Sequence, residues 1–129
     1  MTNDKGLVLT ARALMALIFL IAGTRKLLAF AATAGYFAKL GLPAPEVLVA
    51  VSIVIEIGGG ILLLIGYRQI IVAAVLAVFT IAAALSAHQF WAVSDPQVYA
   101  AQLNNFLKNV AMVGGFLMVI AYARRTGRT

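Results

Sequence analysis

Four apolar runs, each about the length that crosses a bilayer as a helix, decide what this chain can become. A helix needs about 20 apolar residues to span the hydrocarbon core. Residues 7–28, 47–65, 70–91 and 103–122 each supply such a stretch. Hydrophobic residues make up 64% of the 129-residue sequence and charged residues 11%. So little charge could not cover the surface of a water-soluble protein, so lipid is the expected solvent. Strict alternation of apolar and polar residues is absent, which argues against a β-barrel. The expected fold is an all-α membrane protein, a four-transmembrane-helix bundle read as one domain over residues 1–129.

The connections carry readable punctuation. YFAKLGLPAP, residues 36–45, breaks the helix with Gly41, Pro43 and Pro45. Residues 33–40 are expected to form a short interfacial helix between spans 1 and 2, with Tyr36 and Phe37 as anchors. Gly66, Tyr67, Arg68 and Gln69 make a tight turn. Ser94 or Asp95 can cap a helix that has Pro96 in its first turn. Residues 97–105 are then expected to form a second short surface helix before span 4.

The net charge of +6 invites a nucleic-acid reading. The cations stand at the ends of apolar runs, however, and no soluble basic face exists. Orientation in the membrane is the better reading, with no nucleic-acid partner. Lys5, Arg68, Arg124, Arg125 and Arg128 fall on one side of a four-span topology. By the positive-inside rule both termini are expected in the cytoplasm of a multi-pass protein of the plasma (inner) membrane. Residues 29–31, AFA, mimic a signal-peptide cleavage site, but Arg25 and Lys26 sit where that region is normally neutral, so the first span is expected to be retained. Zero cysteines remove disulfides, Fe–S ligation and thiol chemistry from this chain. With a single histidine as well, no metal site is expected.

The informative residues are those that do not belong in lipid. Glu56 lies midway along its span, where a charge costs roughly 2.5–3.5 kcal/mol on insertion scales. It must be paired, protonated or facing water. Arg25 and Lys26 on span 1, His88 and Trp91 on span 3, and Lys108 and Asn109 on span 4 all fall in the same half of the bilayer, with Glu56 as the floor. Arg12 stands at the other end and is expected to snorkel to the head groups. At 3.6 residues per turn, Arg12, Phe19, Gly23 and Lys26 share a face. Ser52, Glu56, Gly59, Gly60 and Leu63 share another, and Asn105, Lys108, Met112 and Gly115 a third. Small residues mark close helix approach, so Glu56 and Lys108 are expected inside the bundle. The ligand-binding candidates are therefore Arg12, Lys26, Glu56, His88, Trp91, Lys108 and Asn109, with Glu56 as proton-shuttle candidate. The plainer alternative is a structural ion pair between Glu56 and Lys26 or Lys108. Trp91, Tyr36 and Tyr67 read equally well as interfacial anchors.

These residues, in order, resemble the DoxX family of small membrane proteins. The carriers are RALMALIFLIAGTRK (residues 12–26), GYFAKLGLP (35–43), EIGGGILLLIG (56–66), and HQFW (88–91), followed by residues 102–106, Lys108-Asn109 and Gly114-Gly115. The resemblance covers nearly the whole chain. It implies a small subunit of a thiosulfate:quinone oxidoreductase or of a membrane complex handling oxidative or thiol stress. It assigns no chemistry to individual residues.

Three functions stay open. The first is a membrane subunit of a quinone-linked oxidoreductase. Lys26, His88, Lys108 and Asn109 would donate hydrogen bonds to the head group and Glu56 would carry protons. Quinone is the cofactor considered; haem, flavin and Fe–S signatures are missing, so electrons would come from a membrane protein partner. The second is an accessory or scaffold subunit, or a homo-oligomer, whose polar residues join helices. The third is a binder or transporter of a small molecule or lipid head group.

Overall fold

The computed structural model describes residues 4–128. Its helices are α1 (Asp4–Leu28), α2 (Phe30–Lys39), α3 (Pro45–Ile53), α4 (Gly59–Ile65), α5 (Gln69–Ala87) and α6 (Pro96–Thr126). A π-helical segment, Val54–Gly58, joins α3 to α4, and a single 3-10 turn, Phe90–Ala92, follows α5. Four helical stretches are long and apolar enough to cross a membrane: Asp4–Leu28, Pro45–Ile65, Gln69–Ala92 and Pro96–Thr126. No strand occurs among the described residues.

Each boundary has a local cause. The helix of α1 breaks at Ala29 (φ −122°, ψ 44°), and α2 restarts at once, a few residues before the position expected for the interfacial helix. α2 packs on α3 and buries Ala34. Gly66 ends α4 in the left-handed conformation (φ 77°), which glycine adopts without steric penalty. Asp95 caps α6: its Oδ1 accepts hydrogen bonds from the Gln97 and Val98 amides at 3.0 Å each, with Pro96 at the first helical position. Residues 97–105 are helical, but they run into the fourth span without a break. No Gly or Pro interrupts the chain between Gln97 and Gly114, so nothing separates the expected short helix from the span.

The core runs along the centre of the bundle. Ala16, Phe19, Leu63, Ala73, Leu76 and Phe116 form its buried centre, and the Phe19 and Phe116 rings meet at 5.7 Å with a 48° tilt. Close approach is set by small residues. A Cβ on Gly23 would stand 2.7 Å from Ile57 Cγ1 and 3.0 Å from Glu56 Cβ, so α1 can touch the π segment only through a glycine. A Cβ on Gly59 would stand 2.8 Å from Leu76 Cδ2, and one on Gly60 2.8 Å from Leu20 Cδ2. Gly59 and Gly60 of the second span are thus packing positions, whereas Gly58 has open space where a Cβ would stand.

Candidate functional site

The second span leaves α-helical geometry at its one charged interior residue. Single-turn π segments are frequent at functional positions, and three glycines, weak helix formers, begin two residues after Glu56. Glu56 is 4% exposed. Its Oε1 accepts from Lys26 Nζ at 2.6 Å, the only ion pair among the described residues. Gly23, one turn before Lys26 on the same face of α1, brings the two side chains into reach. The Lys26 ammonium also lies 5.6 Å from the centre of the Phe79 ring, close enough for cation–π attraction.

Above this pair lies a cavity of about 530 Å³, within the range of small-molecule pockets. Its polar lining is Lys26, Tyr36, Ser52, Glu56, Thr80, Ser86, His88 and Asn109; the rest is aliphatic and aromatic. Asn109 Nδ2 donates to the Thr80 carbonyl at 3.2 Å and ties α6 to α5. His88 caps the C-terminus of α5, and its Nδ1 lies 3.0 Å from Gln102 Oε1 on α6. An amide oxygen only accepts, so Nδ1 is the donor there and Nε2 is left as the other ring position. Two polar atoms of residues that line the cavity are themselves sealed within the protein without a partner: Glu56 Oε2 and Thr80 Oγ1. No cluster of three His, Cys, Asp or Glu side chains forms among the described residues.

Lys26, Glu56, His88 and Asn109 therefore meet, one from each membrane-crossing helix. Three expected candidates do not join them. Lys108 is exposed rather than inside the bundle. The buried stripe of α6 runs through Phe116 and Ala123; Asn109 lies about 20° from Phe116 around the helix, whereas Lys108 lies about 80° away. Trp91 is 54% exposed and stacks edge-on with Phe90 at 5.1 Å and Phe106 at 5.9 Å, outside the cavity. Arg12 sits at the opposite end of the bundle, with Nη1 where a Gly66 Cβ would be and with Nε buried and unpartnered. It packs on the α4–α5 turn instead of reaching outward freely. Arg25, placed by the sequence beside Lys26 in the same half of the bilayer, is exposed.

Sequence reasoning missed Thr80. A signal existed: Gln69, Ala73, Leu76, Thr80 and Ala84 recur at helical spacing and are all buried. Tyr36 and Phe37, read as interfacial anchors, line the cavity from α2.

The DoxX family model matches residues 7–89, a segment containing Lys26, Glu56, Thr80 and His88. The chain is 33% identical over 113 residues to inner membrane protein YphA of Escherichia coli K12, covering 88% of this chain and 80% of that one. It is 32% identical over 112 residues to inner membrane protein YqjF of the same organism, covering 87% and 80%. No solved structure matches the chain. With four membrane-crossing helices, a family match over most of its length and two relatives aligned across most of theirs, this integral membrane protein belongs to the DoxX family.

Proposed function

We propose that the protein is the ligand-holding membrane subunit of a quinone-linked redox assembly, placed in the inner membrane like its named relatives and with both termini cytoplasmic. One observation carries the reading: a 530 Å³ cavity at membrane depth has an apolar wall and a few convergent polar groups. That combination fits a flat, mostly apolar head group bearing oxygens at its edge. Lys26 has donors left over after its bond to Glu56. The Ser52 hydroxyl and the His88 imidazole supply further hydrogen bonds, and Phe19, Phe37 and Phe79 supply apolar contact. Glu56 would hold or release a proton at Oε2, the atom not engaged by Lys26. A quinone, when bound, supplies two-electron, two-proton carrier chemistry. Without cysteines and with one histidine, the chain offers no ligand set for an Fe–S cluster or a bis-His haem, so a partner protein supplies the electrons.

The test is solvent extraction and mass spectrometry of protein purified in mild detergent. Quinone should accompany the wild type and be depleted from Ala83→Phe, which fills the cavity wall. Equal amounts in both, or none in either, would contradict the reading.

A second reading has its own support. Lys26–Glu56 joins α1 to the π segment, and Asn109–Thr80 joins α6 to α5. Polar contacts of this type hold membrane helices together, as a scaffold subunit requires. In that case Glu56→Gln would weaken assembly of the larger complex and leave its turnover per assembled unit unchanged.

A further inference from the structure

Outside the bundle, α6 presents two unlike faces. One is large and aliphatic: Leu107, Val110 and Leu117 are each more than half exposed, as side chains that meet only lipid can be. The other is polar and small. Gln97, Ala101, Asn104, Lys108, Ala111 and Gly115 recur at alternating steps of four and three residues, the seam spacing of a helix packed along another helix. The first five are exposed and Gly115 is half-buried. Among the described residues no helix covers this seam. It only borders α1 at its lower end, where a Cβ on Gly115 would meet Met15 Cε at 3.1 Å.

Lys108 stands deep in the span. Its neighbour Asn109 bonds to the Thr80 carbonyl, and Gln102 meets His88, so α5 and α6 run side by side in opposite directions. Thr80 lies seven residues, about 10 Å, inside the Ala87 end of α5 and about 16 Å from Gln69. A cation at that depth that faces lipid is costly and calls for a counter-charge. A lone lysine can extend to the head groups, but that requires neither an asparagine one turn away nor small residues along the same line. Small and polar residues on one face are the marks of a membrane helix interface.

We propose that this seam docks a transmembrane helix of a partner protein, one that carries a carboxylate at the depth of Lys108. A second copy of the chain does not supply that group. Glu56 is buried and paired with Lys26, and Asp4, Glu46 and Asp95 stand at the starts of their helices. Two-fold pairing of α6 would also set Lys108 against Lys108. Docking at the seam is independent of what the cavity holds, and it gives the partner of a redox assembly a place one residue away from the cavity wall at Asn109.

The probe is a synthetic leucine-rich transmembrane helix with one glutamate about 10 Å from an end of its apolar stretch, compared with the same helix carrying leucine there. The full chain has no cysteine, so Arg128→Cys gives a single labelling site, and association is read by energy transfer in phosphatidylcholine liposomes. The glutamate helix should associate about tenfold more tightly than the leucine helix, the scale of one charge-assisted hydrogen bond. The preference should disappear in Lys108→Leu and return when Lys108→Glu meets a lysine-bearing helix. Ala111→Ile adds bulk at an exposed seam position and should weaken association of both helices, whereas Leu117→Ile on the aliphatic face should change nothing. Far-UV circular dichroism confirms that each variant is folded. Equal association of the two helices with the wild type overturns the proposal, and so does a preference that persists in Lys108→Leu. A preference lost when anionic phosphatidylglycerol is mixed into the liposomes assigns Lys108 to a lipid phosphate and overturns it as well. An Ala111→Ile variant that associates like the wild type removes the seam as the docking face.

Discussion

Replacing Lys26 by Met keeps the length of the side chain and removes its charge. The consequence falls on Glu56, which is 4% exposed and has no other partner for either carboxylate oxygen. Breaking a buried ion pair by deleting one member typically costs 3–5 kcal/mol, because a charge is left unanswered in a poor solvent. The side chains of Lys26 and Glu56 are 22% and 5% exposed. Lys26 therefore keeps some access to the cavity, and the pair sits at the lower end of that range, about 3 kcal/mol. Glu56→Gln is milder, about 1 kcal/mol, since the amide oxygen still accepts from Lys26 and the remaining ammonium reaches the cavity. The double variant Lys26→Met with Glu56→Leu should recover most of the loss, because an apolar pair of similar volume is often as stable as the ion pair it replaces. Reversible unfolding in mixed micelles, followed by far-UV circular dichroism, measures all three. The reasoning would be refuted if Lys26→Met cost under about 0.5 kcal/mol, the scale of an exposed pair, or if the double variant were no more stable than Lys26→Met alone.

Other positions give sharper contrasts. Gly23→Ala places a methyl against Ile57 Cγ1 and Glu56 Cβ, and should cost about 1–3 kcal/mol as α1 and the π segment are pushed apart; an unchanged melting curve would contradict that packing. Asn109→Leu loses the bond to the Thr80 carbonyl and should cost about 1 kcal/mol, whereas the neighbouring Lys108→Ala should stay within about 0.5 kcal/mol of wild type. The reverse order in the same unfolding assay would put Lys108 inside the bundle. Asp95→Ala removes the cap of α6 at a cost of about 1 kcal/mol, and amide exchange at Gln97 and Val98 should accelerate selectively.

The spans were legible because the bilayer imposes length and polarity together: a run near 20 apolar residues has few alternatives. The turn at Gly66 and the cap at Asp95 were legible because their chemistry is local. Lys26, Glu56 and Asn109 could be read as a meeting set because polar side chains in apolar helices must face protein. Lys108 could not be separated from Asn109 on that argument. The two are adjacent in sequence, and one 100° step round the helix separates a cavity wall from an exposed face. Thr80 stayed hidden for a different reason. A hydroxyl in an apolar helix usually turns back on its own backbone, as Thr24 does, and only the packed structure reveals one that does not. The π segment also escaped the sequence, since a one-residue departure from i+4 bonding leaves no periodic trace in so uniformly apolar a stretch.

The account depends on ionisable groups of separate membrane helices meeting within the protein. Solid-state NMR in native-like lipid, on protein labelled with 15N at lysine and 13C at glutamate, tests this directly. The chain has two glutamates, Glu46 and Glu56, and four lysines. Among the described residues only Lys26 and Glu56 are in ion-pair contact. One cross-peak between a lysine ammonium and a glutamate side-chain carboxyl is therefore expected, absent from Glu56→Gln. A spectrum with no such peak, or one whose peak survives that substitution, would contradict the central pairing.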